Sequence, residues 1–257
     1  MPLALLLSLL ATPNARADLL DQLGLSPKKK SAGTDAPASG ALAALSQDQM
    51  VGALKEALGK GVQQAVGLLG KDGGFLNDLN VKIPLPESMK KVEKTLRTLR
   101  QEKLADEFIT TMNRAAEKAV PEAAAVLGNA VKQMTLTDAK TILTGTNNAA
   151  TAFFRRSSET NLHERFLPIV KKATESTGVT AAYKQMMDRV GKANAFGNLL
   201  GGESLLGKDA TDIDVYVTHK ALDGLFLKIA EEEKRIRENP VARSSDLLKK
   251  VFSAVQK

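Results

Sequence analysis

The sequence predicts an all-α protein, an irregular multi-helix bundle whose long helices are kinked at prolines. Three observations predict it. From Leu45 onward, apolar residues recur at three- and four-residue steps almost without a break. Aromatic residues make up only 4% of the chain and Trp is absent, which leaves the core to Leu, Ala, Val and Met, residues that suit packed helices better than sheets. The strand–helix alternation that builds a doubly wound sheet is missing.

The N-terminal region reads differently. Leu3 to Ala11 (LALLLSLLA) is an apolar run, and Ala15-Arg16-Ala17 supplies the small-x-small pattern of a cleavage site, so residues 1–17 are expected to be a secretory signal. The run falls far short of the roughly 20 residues that span a bilayer. No Lys or Arg precedes it, so the natural start is expected upstream. Residues 26–40 (SPKKKSAGTDAPASG) offer nothing to bury, which makes 18–45 a flexible linker, with Lys28, Lys29 and Lys30 on a solvated tether. Residues 46–257 then form a single all-helical domain. The chain has no cysteine, which excludes disulfides, thiol nucleophiles, thiolate metal sites and the lipid-attachment residue of a lipoprotein. The expected location is the periplasm.

Within the domain, Ser46 with Gln49 forms a capping box, and Met50, Leu54, Ala57/Leu58, Val62 and Ala65/Val66 mark the first helix. Gly70 and Asp72-Gly73-Gly74 end it. Val81 to Pro86 (VKIPLP) is the best extended segment, and its prolines keep it out of any central strand. Met89, Val92, Leu96 and Leu99 mark a second helix. A third runs through Leu104, Phe108, Met112, Ala116 and Val120 toward Val131, kinked or restarted at Pro121. Thr137 is expected to cap a short helix that Gly145 closes. Ala150 to Phe166 follows, with Phe153, Phe154, Leu162 and Phe166 inward and Pro168 as a second kink. Thr180 to Val190 predicts another helix, Gly197 to Gly207 a loop. Asp212 or Asp214 then caps a helix through Glu238, which Pro240 stops, and Ser244 caps a short final helix.

Five strings in this order resemble the bacterial domain of unknown function family 4197: Ile83-Pro84-Leu85-Pro86, Met112 to Glu117 (MNRAAE), Phe153-Phe154-Arg155, Phe166 to Val170 (FLPIV) and Ala221 to Phe226 (ALDGLF). The resemblance covers roughly Ser46 to Phe252. It implies an exported, all-helical protein of Gram-negative bacteria and carries no established activity.

Most chemical motifs lack a necessary part. Gly59-Lys60-Gly61-Val62-Gln63-Gln64-Ala65 fits a dinucleotide pattern but sits inside a helix, with no strand before it. Ser88-Met89-Lys90-Lys91 fits S-x-x-K without its companion elements, so Ser88 is expected at a helix start. Gly202-Glu203-Ser204-Leu205-Leu206 misses the nucleophile elbow. His163 and His219 are the only histidines; neither begins H-E-x-x-H, and nothing in the sequence brings them together, so no metal and no cofactor are expected. Asp209, Asp212 and Asp214 lack the glycine of a calcium loop and are read as helix-capping acids.

The polar set of greatest interest is Asn113, Arg114 and Glu117, at the margin of the third helix's apolar stripe. Arg155 is the expected partner of Glu117. These four are the candidate ligand-binding residues. The formal charge of +7 permits anionic partners. The basic run Lys90, Lys91, Lys94, Arg97, Arg100 and Lys103 is read first as a solvated helix face, with peripheral contact to an anionic membrane surface as its partner reading. Nucleic acid is not expected, since no aromatic residue interleaves with the basic ones. Glu231 with Arg235 and Glu233 with Arg237 are expected as ion pairs on an exposed face.

These absences leave a non-catalytic periplasmic binding or interaction protein as the expected function. Its partner would be another envelope protein or an amphiphilic ligand in an apolar cavity of about 300 Å³ or more. The rival is a carboxylate-dependent periplasmic hydrolase assembled from residues such as Glu117 and Asp138, which needs two acids facing across a cleft. An envelope scaffold, the third class, needs a large exposed apolar patch.

Overall fold

The computed structural model describes residues 46–98, 100, 102–176, 212–243, 246 and 249–251, all within the unit Ala38–Lys257. The expected signal, linker, Thr180–Val190 helix, Gly197–Gly207 loop, Asp209 and Ser244 cap lie outside the described residues. Those described form an all-α bundle with no strand.

Helix α1 (Gln47–Leu69) opens on the predicted box: the Gln49 amide donates to Ser46 Oγ at 3.2 Å and the Ser46 amide to Gln49 Oε1 at 3.0 Å. Gly59 and Gly61 lie inside this helix, so its glycines meet no phosphate-binding turn. A non-helical crossover, residues 70–86, leads through the 3-10 turn Glu87–Met89 into α2 (Lys90–Thr98) and α3 (Glu102–Ala119). Between α2 and α3, Arg100 takes a φ of 58°, the left-handed conformation that reverses the chain. On α3, Leu104 is 55% exposed, contrary to expectation. The buried face is rotated to Ala105, Phe108, Met112, Asn113, Ala115, Ala116, Glu117 and Ala119.

Pro121 breaks the helical run as predicted, through the 3-10 turn Val120–Glu122, and α4 (Ala123–Gln133) restarts after it. The α5 helix (Leu136–Thr144) is capped by Thr135 and not by Thr137. The Thr135 hydroxyl accepts the Asp138 amide at 3.1 Å while Asp138 Oδ2 accepts the Thr135 amide at 3.1 Å. Thr137 instead lies one residue into the helix. The long α6 (Ala149–Ser176) runs through Pro168 without interruption. Pro168 cannot donate to the Glu164 carbonyl, and both residues are exposed. Asp212 caps α7 (Ile213–Glu238) by accepting the Asp214 amide at 2.9 Å. The 3-10 turn Pro240–Ala242 follows α7. Beyond it, the buried Arg243 folds back and donates to the Ile236 carbonyl at 3.1 Å and the Arg237 carbonyl at 2.8 Å. Those are terminal carbonyls that the helix itself cannot satisfy.

Helix α6 is the centre of the packing. It lies against α3, α4, α5 and α7, while α7 closes over α1 and α3. Phe75, Phe154, Phe166, Phe226, Leu54 and Leu127 are among the fully buried side chains of the bundle. Two glycines test this packing in opposite directions. A Cβ on Gly59 would meet nothing within 4 Å, whereas one on Gly224 would lie 2.7 Å from the Phe75 ring and 3.2 Å from Val81 Cβ. Gly59→Ala should therefore raise unfolding stability by about 0.5–1 kcal/mol through helix propensity, read from urea titrations. Gly224→Ala should lower it by about 1–3 kcal/mol through overpacking. The opposite ordering would contradict the packing of the crossover on α7.

Candidate functional site

The polar residues of α3 meet the crossover. Asn113 is fully buried. Its side-chain oxygen accepts the Ile83 amide at 2.8 Å, and its nitrogen donates to the Ile83 carbonyl at 2.9 Å and the Ile109 carbonyl at 2.7 Å. It does for Ile83 what a neighbouring strand would do, pairing both main-chain groups of one residue. One turn along, Glu117 Oε1 accepts the Phe75 amide at 3.1 Å and the Leu76 amide at 3.2 Å. Its other oxygen takes Arg114 at 2.7 Å, and Arg114 reaches out to Asp72 at 3.2 Å. Its hydrogen bond to Glu117 holds the pKa of the Arg114 guanidinium above its ordinary value.

Helix α7 supports the same segment from its own side. The Tyr216 hydroxyl donates to the Pro84 carbonyl at 3.0 Å. Lys228, whose side chain is 11% exposed, pairs with Asp78 at 2.8 Å and Glu231 at 2.9 Å. Lys228 thereby keeps Asp78 below the usual carboxylate range.

Arg155 is elsewhere. It is not the partner of Glu117: it pairs with Glu159 at 2.8 Å and Asp223 at 3.4 Å, with its guanidinium 4.5 Å from the Phe226 ring centroid. The expected grouping therefore splits into the buried Asn113 and Glu117 with the half-buried Arg114 on the crossover, and a half-buried Arg155 at the α6–α7 seam. Asp138 belongs to the α5 capping box, where the Thr135 hydroxyl holds it below the ordinary carboxylate range, while Glu117 is taken up by the crossover.

A second buried carboxylate was missed. Glu233 Oε1 accepts the Ala150 amide at 2.9 Å, and Oε2 accepts the Thr151 amide and hydroxyl, each at 2.9 Å. It caps the start of α6 from α7, at the positive end of the helix dipole. Arg237 grips it at 2.8 Å and also donates to the Ile142 carbonyl at 2.7 Å. The expected Glu233–Arg237 pair exists, but buried and not exposed. The expected Glu231–Arg235 pair is replaced, with Arg235 on Glu232 at 2.6 Å and Glu231 on Lys228.

An open groove of about 350 Å³ lies between α4 and α6. Val126, Asn129, Ala130 and Gln133 line it from α4, and Phe153, Ser157, Ser158, Asn161 and Arg165 from α6. Asn161 Oδ1 accepts from Arg165 at 2.9 Å, and Arg165 approaches Glu122 at 3.7 Å. The walls are mainly amide and hydroxyl over a few apolar groups, not the apolar cavity expected. None of Asn113, Arg114, Glu117 or Arg155 lines it. Its signal was present in the sequence as polar residues at helical spacing, Asn129/Gln133 and Ser157/Asn161/Arg165, next to the buried stripe.

The two histidines, which nothing in the sequence brings together, do meet. Their ring centroids are 4.9 Å apart across the α6–α7 seam, with the planes tilted by 44°. Among the described residues, no group of three or more His, Asp or Glu could hold a metal ion, and no helix is long and apolar enough to cross a membrane. The basic run is partly neutralised. Lys90 pairs with Glu87 at 2.6 Å, and Arg97 with Glu93 at 2.8 Å and Asp106 at 3.0 Å.

Residues 44–253 match the family described as "Protein of unknown function (DUF4197)". The chain belongs to this family. No curated protein and no solved structure matches it. In this DUF4197 member four of the five strings that carried the resemblance touch in pairs. Ile83 lies on Asn113, and Arg155 lies on Asp223 and over Phe226.

The two halves of the split site differ in what their loss should cost. Asn113→Ala strands the Ile83 amide and carbonyl and should cost about 3 kcal/mol, whereas Arg155→Ala removes an exposed pair and a ring contact and should cost about 1 kcal/mol or less. Chemical denaturation measures both, and equal losses would contradict the division. Asp78 makes the crossover sensitive to acid. Its folded value is depressed by Lys228, so its contribution is full above the unfolded carboxylate value of about 3.9 and is lost as pH falls through the lower folded value. The stability gap between the wild type and Asp78→Asn should close as pH falls from about 5 to about 2. A gap that stays constant would show that Lys228 does not favour the charged form.

Proposed function

We propose that this protein is a non-catalytic binding protein of the bacterial cell envelope, and that its ligand lies in the groove between α4 and α6. The observation that carries the reading is the groove's lining. Asn129, Gln133 and Asn161 offer amides, Ser157 and Ser158 hydroxyls, and Arg165 a guanidinium, beside Val126, Ala130 and Phe153. Such walls suit a small ligand that combines an apolar edge with several hydrogen-bonding groups, as sugars and short peptide fragments do. The run Leu3 to Ala11 followed by Ala15-Arg16-Ala17 supports a periplasmic location. A catalytic reading finds less support: Glu117 and Asp138 each hold main-chain amides, and neither lines the groove.

Native mass spectrometry of the protein purified from its own periplasmic extract tests the reading. The wild type should carry a small-molecule adduct, and Ser157→Phe, which fills the groove from α6, should lose it while keeping the helical circular-dichroism spectrum. A bare wild-type protein, or an adduct that survives Ser157→Phe, would overturn the assignment of ligand to groove. Recovery of the protein only from the cytoplasmic fraction would overturn the location.

A further inference from the structure

The α6–α7 seam carries a ladder of polar contacts between antiparallel helices. Thr174 donates to Asp214 at 2.6 Å near one end, Arg155 meets Asp223 at 3.4 Å further along, and Thr151 meets Glu233 at 2.9 Å at the other end. His163 and His219 occupy the rung between the first two of these, on facing positions of α6 and α7. His219 is exposed and His163 half-buried, so the pair is open to solvent solutes.

We infer that His163 and His219 form an inter-helix clamp for a divalent late transition metal of the copper, nickel and zinc class. A metal about 2.0–2.1 Å from one nitrogen of each ring stands about 3.2 Å from each ring centre, so N–metal–N angles of about 90–109° put the centres about 4.5–5.2 Å apart. The observed 4.9 Å falls inside that window, and the 44° tilt keeps the rings from lying face to face. Imidazole suits these metals, and hard cations such as magnesium prefer oxygen. Two protein ligands leave the remaining positions to water or an external ligand. Glu159 lies one turn before His163 and Asp223 one turn after His219, and both are held by Arg155, which places negative charge at the same end of the pair.

The clamp is independent of the ligand groove. Taking about 100° per residue, Arg155, Glu159 and His163 lie on the side of α6 nearly opposite Phe153, Ser157, Asn161 and Arg165. Failure of one site therefore leaves the other standing.

The composition makes the test clean, because the chain has two histidines and no cysteine. Copper(II) alone is titrated into the full-length protein and followed by pulsed electron paramagnetic resonance, which counts coordinated imidazoles through their remote nitrogens. One equivalent of copper bound by two imidazoles is the expected result. His163→Gln and His219→Gln should each leave a single imidazole signal and weaken binding by more than about tenfold. One imidazole per copper in the wild type, or an affinity unchanged in both variants, would overturn the clamp and leave the rings as a simple tilted stack.

Discussion

Buried main chain must be hydrogen-bonded, and in this bundle that requirement falls hardest on residues 70–86. The crossover is irregular yet carries Phe75, Val81, Ile83 and Leu85 into the core. Its local turns, such as Asn77 to Gly73 and Lys82 to Asp78, satisfy part of its backbone. The amides of Phe75, Leu76 and Ile83 and the carbonyl of Ile83 are satisfied by side chains of α3. An unpaired buried group costs about 1–3 kcal/mol, so Asn113 and Glu117 matter more to the fold than any surface ion pair. Gly224 on α7 completes the arrangement by leaving room for the Phe75 ring.

The same physics recurs at the start of α6, where Glu233 satisfies main-chain amides from 82 and 83 residues away in sequence. Both carboxylates are paired with an arginine on their own helix, Arg114 for Glu117 and Arg237 for Glu233. Each of these two acids is thus paired on its own helix while it accepts from distant backbone. This arrangement fixes helices α3 and α7 against segments they could otherwise slide along. It also leaves α6 with two opposite polar faces, one on the groove with α4 and one on the seam with α7.

The parts of the fold set by local rules were legible. Ser46 with Gln49, Pro121 and Asp212 act within a few residues of themselves, and each marks its boundary as the sequence says. Thr135 was equally local, since Thr135-x-x-Asp138 is a capping box, but Thr137 sits closer to the apolar run and drew the assignment. The candidate site was only half legible. Asn113 and Glu117 could be singled out by their place on the helix margin, but their partners lie 30 to 42 residues away. Glu233 was misread because an i,i+4 pair looks the same in sequence whether it is exposed or buried. The meeting of His163 with His219 depends on the register of two antiparallel helices, which no local pattern encodes.

Hydrogen exchange in the native state addresses the crossover most directly. If side chains of α3 satisfy its backbone, the amides of Phe75, Leu76 and Ile83 should exchange as slowly as the central amides of α3 and α6, opening only when the whole domain unfolds. Exchange at those three positions as fast as that of an exposed loop, with the helices still protected, would contradict the account.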